Sequence, residues 1–151
     1  MYKTFFLFVS CEKEEITNYY AYLKNATTHT IQIQFFSQGQ AVNQNTLTLN
    51  QDATIRIANG YNRGINTGGG FSSKYFEGVD SIRVLFDNTY RVSHYLKTPV
   101  GLFPKHYLNT STRNLGNKLS YKLEGKTLSK RKRENTYTYE FTEQDYLFAK
   151  Q

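Results

Sequence analysis

The densest group of chemically active side chains in this sequence is a run of four consecutive cations near the C-terminus. The run favours a solvated hairpin tip whose charges protect an edge strand from mispairing. The alternative is an anion-binding patch, because ammonium and guanidinium groups bind phosphate and sulfate. Lysines at positions 118, 122 and 126 precede the run and extend the basic surface. The run itself consists of Lys130, Arg131, Lys132 and Arg133.

A glycine-rich stretch over residues 59–74 has no periodicity and holds five of the ten glycines. A phosphate-binding loop needs Gly-Lys-Ser/Thr, and that tripeptide does not occur here. Irregular stretches of this length in a compact domain are functional or mobile. We therefore predict a flexible surface loop, with a ligand-contacting loop as the alternative. Its candidate contact residues are Tyr61, Arg63, Phe71 and Lys74.

Catalytic chemistry is not indicated by any motif. The three histidines, at positions 29, 94 and 106, have no metal-ligand spacing, and no Gly-x-Ser-x-Gly element is present. We predict no catalytic residue, no metal and no cofactor. Two acids converging on a cleft would instead make a glycan-cleaving enzyme, and this alternative stays open. The acids that could do so are Glu77, Asp80, Asp87, Glu124 and Glu140.

Cys11 is the single cysteine, and it stands between an apolar run and a charged segment. Lys3 precedes the apolar run, and Ser10 puts a small residue directly before the cysteine. The segment Phe8-Val9-Ser10-Cys11 resembles the lipobox of bacterial lipoprotein signals, with Phe8 where the usual pattern has Leu. The resemblance implies that Cys11 is lipidated after export. The alternative is a first strand in which Cys11 is an ordinary apolar residue.

The apolar run before Cys11 is shorter than the 7–15 residues of a typical secretory signal. A start site assigned too far downstream would explain its length, and so would a short signal. It is far below the ~18 apolar residues that span a bilayer. The acids after Cys11 resemble the export signal of surface lipoproteins in the Bacteroidetes group.

Composition favours sheet over helix. Aromatic residues make up 16% of the chain, with 13 Tyr, 11 Phe and no Trp, and such side chains suit a pleated, half-buried surface. The formal net charge of +7 is compatible with acidic partners and identifies none of them. With one cysteine, the fold has no internal disulfide and depends on its own core.

Alternating apolar residues predict eight short strands. They cover residues 19–25, 29–35, 46–49, 54–58, 80–86, 90–95, 119–123 and 137–141. The pair around Asp87-Asn88-Thr89 is the clearest hairpin. Thr142, followed three residues later by Asp145, predicts the start of a short helix that runs to Ala149. We therefore expect an all-β fold, an antiparallel β-sandwich of seven or eight strands with a short C-terminal helix.

The body of the chain resembles small uncharacterised lipoproteins of the Bacteroidetes type. The segments that prompt this comparison are Asp80-Ser81-Ile82-Arg83-Val84-Leu85-Phe86-Asp87 and the ending from Tyr137 to Tyr146. The resemblance implies a fold and a location, and it brings no catalytic residue with it.

These observations predict a signal peptide over residues 1–10, an acidic tether over 11–18 and one β-sandwich domain over 19–151. We expect an exported, non-enzymatic binding or structural module, anchored in the outer membrane or on the cell surface through acylated Cys11. A glycan or an envelope protein is the expected partner, and nucleic acid is not. The alternatives are an enzyme acting on envelope polysaccharide and a soluble basic binding protein without lipid.

Overall fold

The computed structural model describes residues 14–42, 46–64, 70–99 and 101–151. Within these ranges the chain forms ten strands, two short 3₁₀ helices and one α-helix. The 3₁₀ helices are Lys74–Phe76 and Lys118–Ser120, and α1 is Glu143–Lys150. The strands are β1 Ile16–Asn25, β2 Ile31–Ser37, β3 Gln40–Ala41, β4 Leu47–Leu49, β5 Thr54–Arg63, β6 Ser81–Phe86, β7 Tyr90–Tyr95, β8 His106–Tyr107, β9 Lys122–Ser129 and β10 Lys132–Phe141.

The strands form two sheets. One has four strands in the order β5-β1-β10-β9. The other has six, in the order β3-β2-β6-β7-β8, with β4 also pairing with β2. The all-β class with a short C-terminal helix is confirmed.

Two of the strand pairs are parallel, which differs from the antiparallel sheets that we predicted. β1 runs parallel to β10 in the register Ile16↔Lys132 to Asn25↔Phe141, and β7 runs parallel to β8. Parallel neighbours need a long crossover connection. Here the whole six-stranded sheet lies between β1 and β10 in the sequence, so it supplies that connection.

One hydrophobic core lies between the inner faces of the two sheets. In β2, Ile31, Ile33 and Phe35 are buried and alternate with half-buried glutamines, as the sequence predicted. The inner faces of β6 and β10 follow the same period of two. They contribute Ile82, Val84, Phe86, Tyr137, Tyr139 and Phe141.

The predicted hairpin at residues 80–95 is present as β6 and β7. Asp87 and Asn88 both adopt positive φ, at 50° and 56°. Two successive positive φ values define a type I′ turn, whose twist matches that of the flanking strands. Asp and Asn tolerate this conformation better than other L-residues, which explains their position here.

Several strands extend beyond the predicted limits, β1 and β5 among them. β1 begins at Ile16, so three residues of the predicted tether lie in a strand. β5 continues to Arg63, so residues 59–63 are strand and not loop. Pairing with β1 outweighs the low strand propensity of this segment. A Cβ added to Gly60 would lie 2.4 Å from Tyr19 Oη, so the glycine leaves room for the tyrosine ring.

The strand predicted at residues 119–123 is wrong at its first three positions. Leu119 belongs to a 3₁₀ helix, and 80% of its surface is exposed. The Asn117 side chain accepts a hydrogen bond from Leu119 N at 3.0 Å, which favours the helical turn over a strand. β9 begins after it as an edge strand with every residue exposed.

The predicted start of the C-terminal helix is confirmed. Thr142 is the N-cap residue, and its N–H donates to Asp145 Oδ2 at 2.8 Å. In the described part of the chain, no helix has the length and apolarity needed to cross a bilayer.

Candidate functional site

Cys11, the predicted lipidation site, lies outside the residues that the structure describes. The described chain begins at Glu14 and enters β1 at Ile16. Lipidation of Cys11 therefore stays a prediction.

The basic tip, residues 130–133, is a hairpin tip between β9 and β10. Lys130 and Arg131 form the turn, Lys132 and Arg133 begin β10, and all four are exposed. Arg131 O accepts a hydrogen bond from Ile16 N at 2.9 Å. The tip therefore lies directly beside the point where the chain enters β1.

The three lysines before the tip do not form one continuous stripe with it. Lys122 and Lys126 lie on exposed β9, and Lys122 Nζ lies 2.8 Å from Glu124 Oε1. Lys118 belongs to the 3₁₀ helix, where its side chain lies over Gly70. Charges on β9 suit the protection of an edge strand.

The four predicted ligand-contact residues are not gathered on one surface. Tyr61 is 59% exposed on β5, and the Arg63 guanidinium lies 5.3 Å from its ring centroid. Phe71 is buried in the core, where its ring packs at 4.8 Å from that of Tyr121. Lys74 is exposed on the 3₁₀ helix. Ligand contact by Tyr61, Arg63 and Lys74 stays a prediction, and Phe71 has a packing role.

Three of the five acids that could form a glycan-cleaving pair each contact a different group. Asp87 Oδ2 lies 2.6 Å from His29 Nδ1, and Glu140 Oε2 lies 2.8 Å from Lys24 Nζ. Asp80 Oδ2 accepts from the backbone N–H of Gln38. Among the residues in the described ranges, no three His, Cys, Asp or Glu side chains cluster as metal ligands would.

The structure reveals a site that the sequence did not indicate, on the outer face of the six-stranded sheet. It is a pocket of about 170 Å³, which we call the arginine pocket. Its lining consists of Phe36, Gly39, Ser81, Ile82, Arg83, Arg91, Ser93, Tyr95 and Phe103.

The hairpin of β6 and β7 positions the polar side chains of this pocket. Arg83 pairs with Ser93 across the two strands, and Arg91 pairs with Leu85, two residues further along β6. The two arginines are thus diagonal neighbours on one face, separated by about 7–8 Å between backbones. The core contacts of the opposite face hold the hairpin in place.

Each guanidinium lies against an aromatic ring. Arg83 Cζ lies 4.4 Å from the ring centroid of Phe36, and Arg91 Cζ lies 3.4 Å from that of Phe103. Phe103 is fixed in turn, because its N–H donates to Tyr95 Oη at 2.9 Å. Cation–π contacts of this kind hold a guanidinium in place without using its N–H donors.

The two arginines have no acidic partner in the described ranges. Neither forms an ion pair there, and Arg91 Nε is buried without a hydrogen-bond acceptor. Burial and then the charge of Arg83 lower the pKa of Arg91 below its usual range. The pocket therefore holds two cations close together with donors free for an anion.

The sequence contained part of the signal for this pocket. Ser81, Arg83, Arg91, Ser93 and Tyr95 occupy outward positions of the one hairpin that the pattern predicted. Aligning them across its turn would have brought the two arginines together. Phe103 had no such signal, since it lies in an irregular segment.

Comparison with known proteins does not extend this picture: no family model, no curated protein and no solved structure matches the chain.

Proposed function

We propose that this chain is a non-enzymatic binding protein of the bacterial cell envelope, anchored in the outer membrane or on the cell surface by acylated Cys11. The observation that carries the proposal is the register of the parallel pair, Ile16 with Lys132. This register places the basic tip beside the chain segment that leads to the cysteine.

The length of that segment limits how far the tip can lie from a lipidated cysteine. Five residue steps separate Cys11 from Ile16, and an extended chain spans at most about 3.6 Å per residue, or roughly 18 Å in total. Near an anionic membrane surface each Lys or Arg contributes about 1 kcal/mol of attraction. The attraction decreases over a Debye length of about 8 Å at physiological ionic strength.

The proposed orientation therefore uses two contacts, the acyl chains and the basic tip. Arg63 adds a fifth cation at this end, since it pairs with Ile16 on the other side of β1. Glu14 and Glu15 offset part of the positive charge at this end, and Arg133 Nε lies 4.0 Å from Glu15 Oε2. A single acyl chain gives only reversible binding, and a polybasic surface is a recognised second signal. The far surfaces of the sandwich would then face a glycan or an envelope protein.

Metabolic labelling with radioactive palmitate tests the anchor. Wild-type protein should incorporate the label and sediment with membranes, whereas Cys11→Ser should lose both the label and the membrane fraction. Ser10→Ala keeps a small residue before the cysteine and should behave as wild type. Membrane association that survives in Cys11→Ser would reject the anchor, and unlabelled protein with Met1 intact would favour the soluble alternative.

Vesicle sedimentation of the Cys11→Ser protein tests the basic tip without the acyl chains. Lys130→Gln with Arg131→Gln removes two charges from turn residues that form no ion pair with a described residue. This variant should bind phosphatidylglycerol vesicles more weakly at low salt. Lys122→Gln with Lys126→Gln is the matched control for net charge, and it should bind as the parent does. Equal losses in both variants would contradict a role specific to the tip.

A further inference from the structure

We propose that the arginine pocket binds a tetrahedral dianion, the phosphate or sulfate group of a larger ligand. The inference deepens the proposed binding function by naming the ligand chemistry. Its evidence is the hairpin of β6 and β7, which is separate from the lipidation site and from the basic tip.

Unpaired donors carry the inference. A buried polar group without a partner costs about 1–3 kcal/mol, and native structures keep few of them. Arg91 Nε is such a group, and it belongs to a side chain that lines the pocket. Because Nε itself is covered by the protein, an oxyanion in the pocket would compensate it through the guanidinium charge and the remaining N–H donors of Arg91.

The acid nearest in sequence does not fill this role. The Asp80 carboxylate accepts from Gln38 N at 2.5 Å and from Ser81 Oγ at 2.9 Å. Its charge is also absent from the causes that shift the pKa of Arg91, which besides burial are Arg83 and Tyr95. The two guanidinium charges therefore remain available to a ligand.

Charge and donor number favour a tetrahedral dianion over a carboxylate. A phosphate monoester carries about −1.5 to −2 at neutral pH with three acceptor oxygens, which matches two guanidinium groups. A carboxylate carries a single charge and two oxygens. Hydroxyl groups of Ser93 and Tyr95 also line the pocket. Tyr95 Oη accepts from Phe103 N, so its own proton remains free to donate.

Size indicates that the dianion is part of a larger molecule. The pocket of about 170 Å³ holds about five or six water volumes of roughly 30 Å³ each, enough for one such group. A second pocket of about 380 Å³ shares Arg91 and Phe103 with it. Tyr90 and Lys105 are among the residues of that second pocket, which suits an organic group next to the anion.

Titration of the full-length Cys11→Ser protein, followed by calorimetry and by amide NMR, tests the inference. The probes are sodium phosphate, sulfate, acetate and chloride at pH 7.5 and constant ionic strength. Phosphate or sulfate should bind at least about tenfold more tightly than acetate, with shifts at residues 81–83 and 91–95. Equal affinity for acetate, or shifts confined to residues 130–133, would overturn it.

Variants of the two arginines separate recognition from folding. Arg83→Lys and Arg91→Lys keep the charge but remove the forked donors, and each should weaken binding by about tenfold, the effect of one charge-assisted hydrogen bond. Lys130→Gln with Arg131→Gln should bind as the parent does. A dispersed amide spectrum and an unchanged melting temperature show that a variant is folded. A folded double variant, Arg83→Lys with Arg91→Lys, that binds as the parent does would refute the site.

A sugar phosphate and the matching sugar sulfate then distinguish the two sources of the dianion. If the sugar phosphate or the sugar sulfate binds more tightly than its inorganic ion, the second pocket of about 380 Å³ contributes to binding. Failure of both the esters and the inorganic ions would refute the inference. The proposed anchor would be unaffected, because the protein used in these titrations lacks Cys11.

Discussion

Arg113 and Asp145 form a two-point ion pair that joins the segment before β9 to the start of α1. Arg113 Nε donates to Asp145 Oδ1 at 3.1 Å, and Nη2 donates to Oδ2. Asp145 is 4% exposed, and its carboxylate also accepts the N–H of Thr142. The guanidinium donates further to Glu140 O at 3.1 Å. This buried ion pair thus holds together a loop, a strand end and a helix start.

Replacing Arg113 by alanine should destabilise the fold strongly. The change leaves the Asp145 carboxylate buried without its counter-ion, and breaking a buried pair from one side costs about 3–5 kcal/mol. Urea unfolding followed by circular dichroism measures the loss. Arg113→Lys should lose less, because it keeps the charge while losing the two-point geometry.

The exposed pair of Lys24 and Glu140 provides a matched control for this prediction. Its side chains are 43% and 45% exposed, so solvent screens the interaction. Lys24→Ala should leave the urea midpoint nearly unchanged. Equal effects of Lys24→Ala and Arg113→Ala would show that burial of the ion pair is not what matters.

His94 should make stability fall as the pH decreases from neutral. Its side chain is buried at 2% exposure, and Nδ1 accepts the N–H of Leu115 at 3.1 Å. Burial, with the nearby charge of Arg113, lowers the pKa of His94 from 6.5 to about 3. Between pH 6.5 and about pH 3, His94 is therefore protonated in the unfolded chain but neutral in the folded protein. Lowering the pH in this range favours unfolding.

The size of the His94 effect follows from the two pKa values. Stability should fall by about 1–2 kcal/mol between pH 6.5 and about pH 5, above the range where most carboxylates titrate. Urea titrations at several pH values measure it. His94→Gln offers an acceptor for Leu115 N without a titrating group. That variant should lose this part of the slope, and an unchanged slope would show that His94 is not its source.

The fold was predictable from the sequence at most places where apolar residues alternate. Ile31, Ile33 and Phe35 in β2 stand at a period of two, and the turn at Asp87-Asn88 has residues that accept positive φ. The parallel pairing of β1 with β10 was not predictable, because partner choice between distant strands depends on the whole core. The extension of β5 to Arg63 depends on its own pairing with β1 and was missed for the same reason.

The candidate site was less predictable than the fold. Clusters in the sequence drew attention to residues 130–133, whereas the arginine pocket joins side chains from β2, β6, β7 and the segment around Phe103. Its decisive feature is that Arg83 and Arg91 have no acidic partner among the described residues, which only the three-dimensional arrangement reveals. The fold also assigned Phe71 to the core, although its glycine-rich surroundings favoured a surface position.

His29 should lower the pKa of Asp87. The two side chains lie 2.6 Å apart, and their hydrogen bond is the largest cause of the lowered Asp87 pKa. Asp87 therefore contributes stability above its usual pKa of 3.8, and that contribution disappears as the pH falls through the lower folded value. NMR titration of the Asp87 carboxyl carbon should give a higher pKa in His29→Ala than in wild type.

Part of the Asp87 shift should survive in that variant. The N–H of Thr30 still donates to Oδ1 at 3.0 Å, and this bond also lowers the pKa. An identical Asp87 pKa in wild type and His29→Ala would contradict the prediction. That result would mean that the hydrogen bond from Thr30 N–H alone lowers the Asp87 pKa.

Asn88 should be replaceable by glycine but not by alanine. Its φ of 56° lies in the left-handed region, which costs an ordinary L-residue about 1–2 kcal/mol and costs glycine nothing. Asn88→Ala should therefore destabilise the protein by about 1 kcal/mol, and Asn88→Gly should not, because Asp-Gly is a preferred type I′ sequence. Urea unfolding at neutral pH compares the two variants.

The side chain of Asn88 is exposed and forms no hydrogen bond with a described residue, so backbone conformation alone should decide the outcome. Equal stabilities of the alanine and glycine variants would show that the hairpin does not require the positive φ.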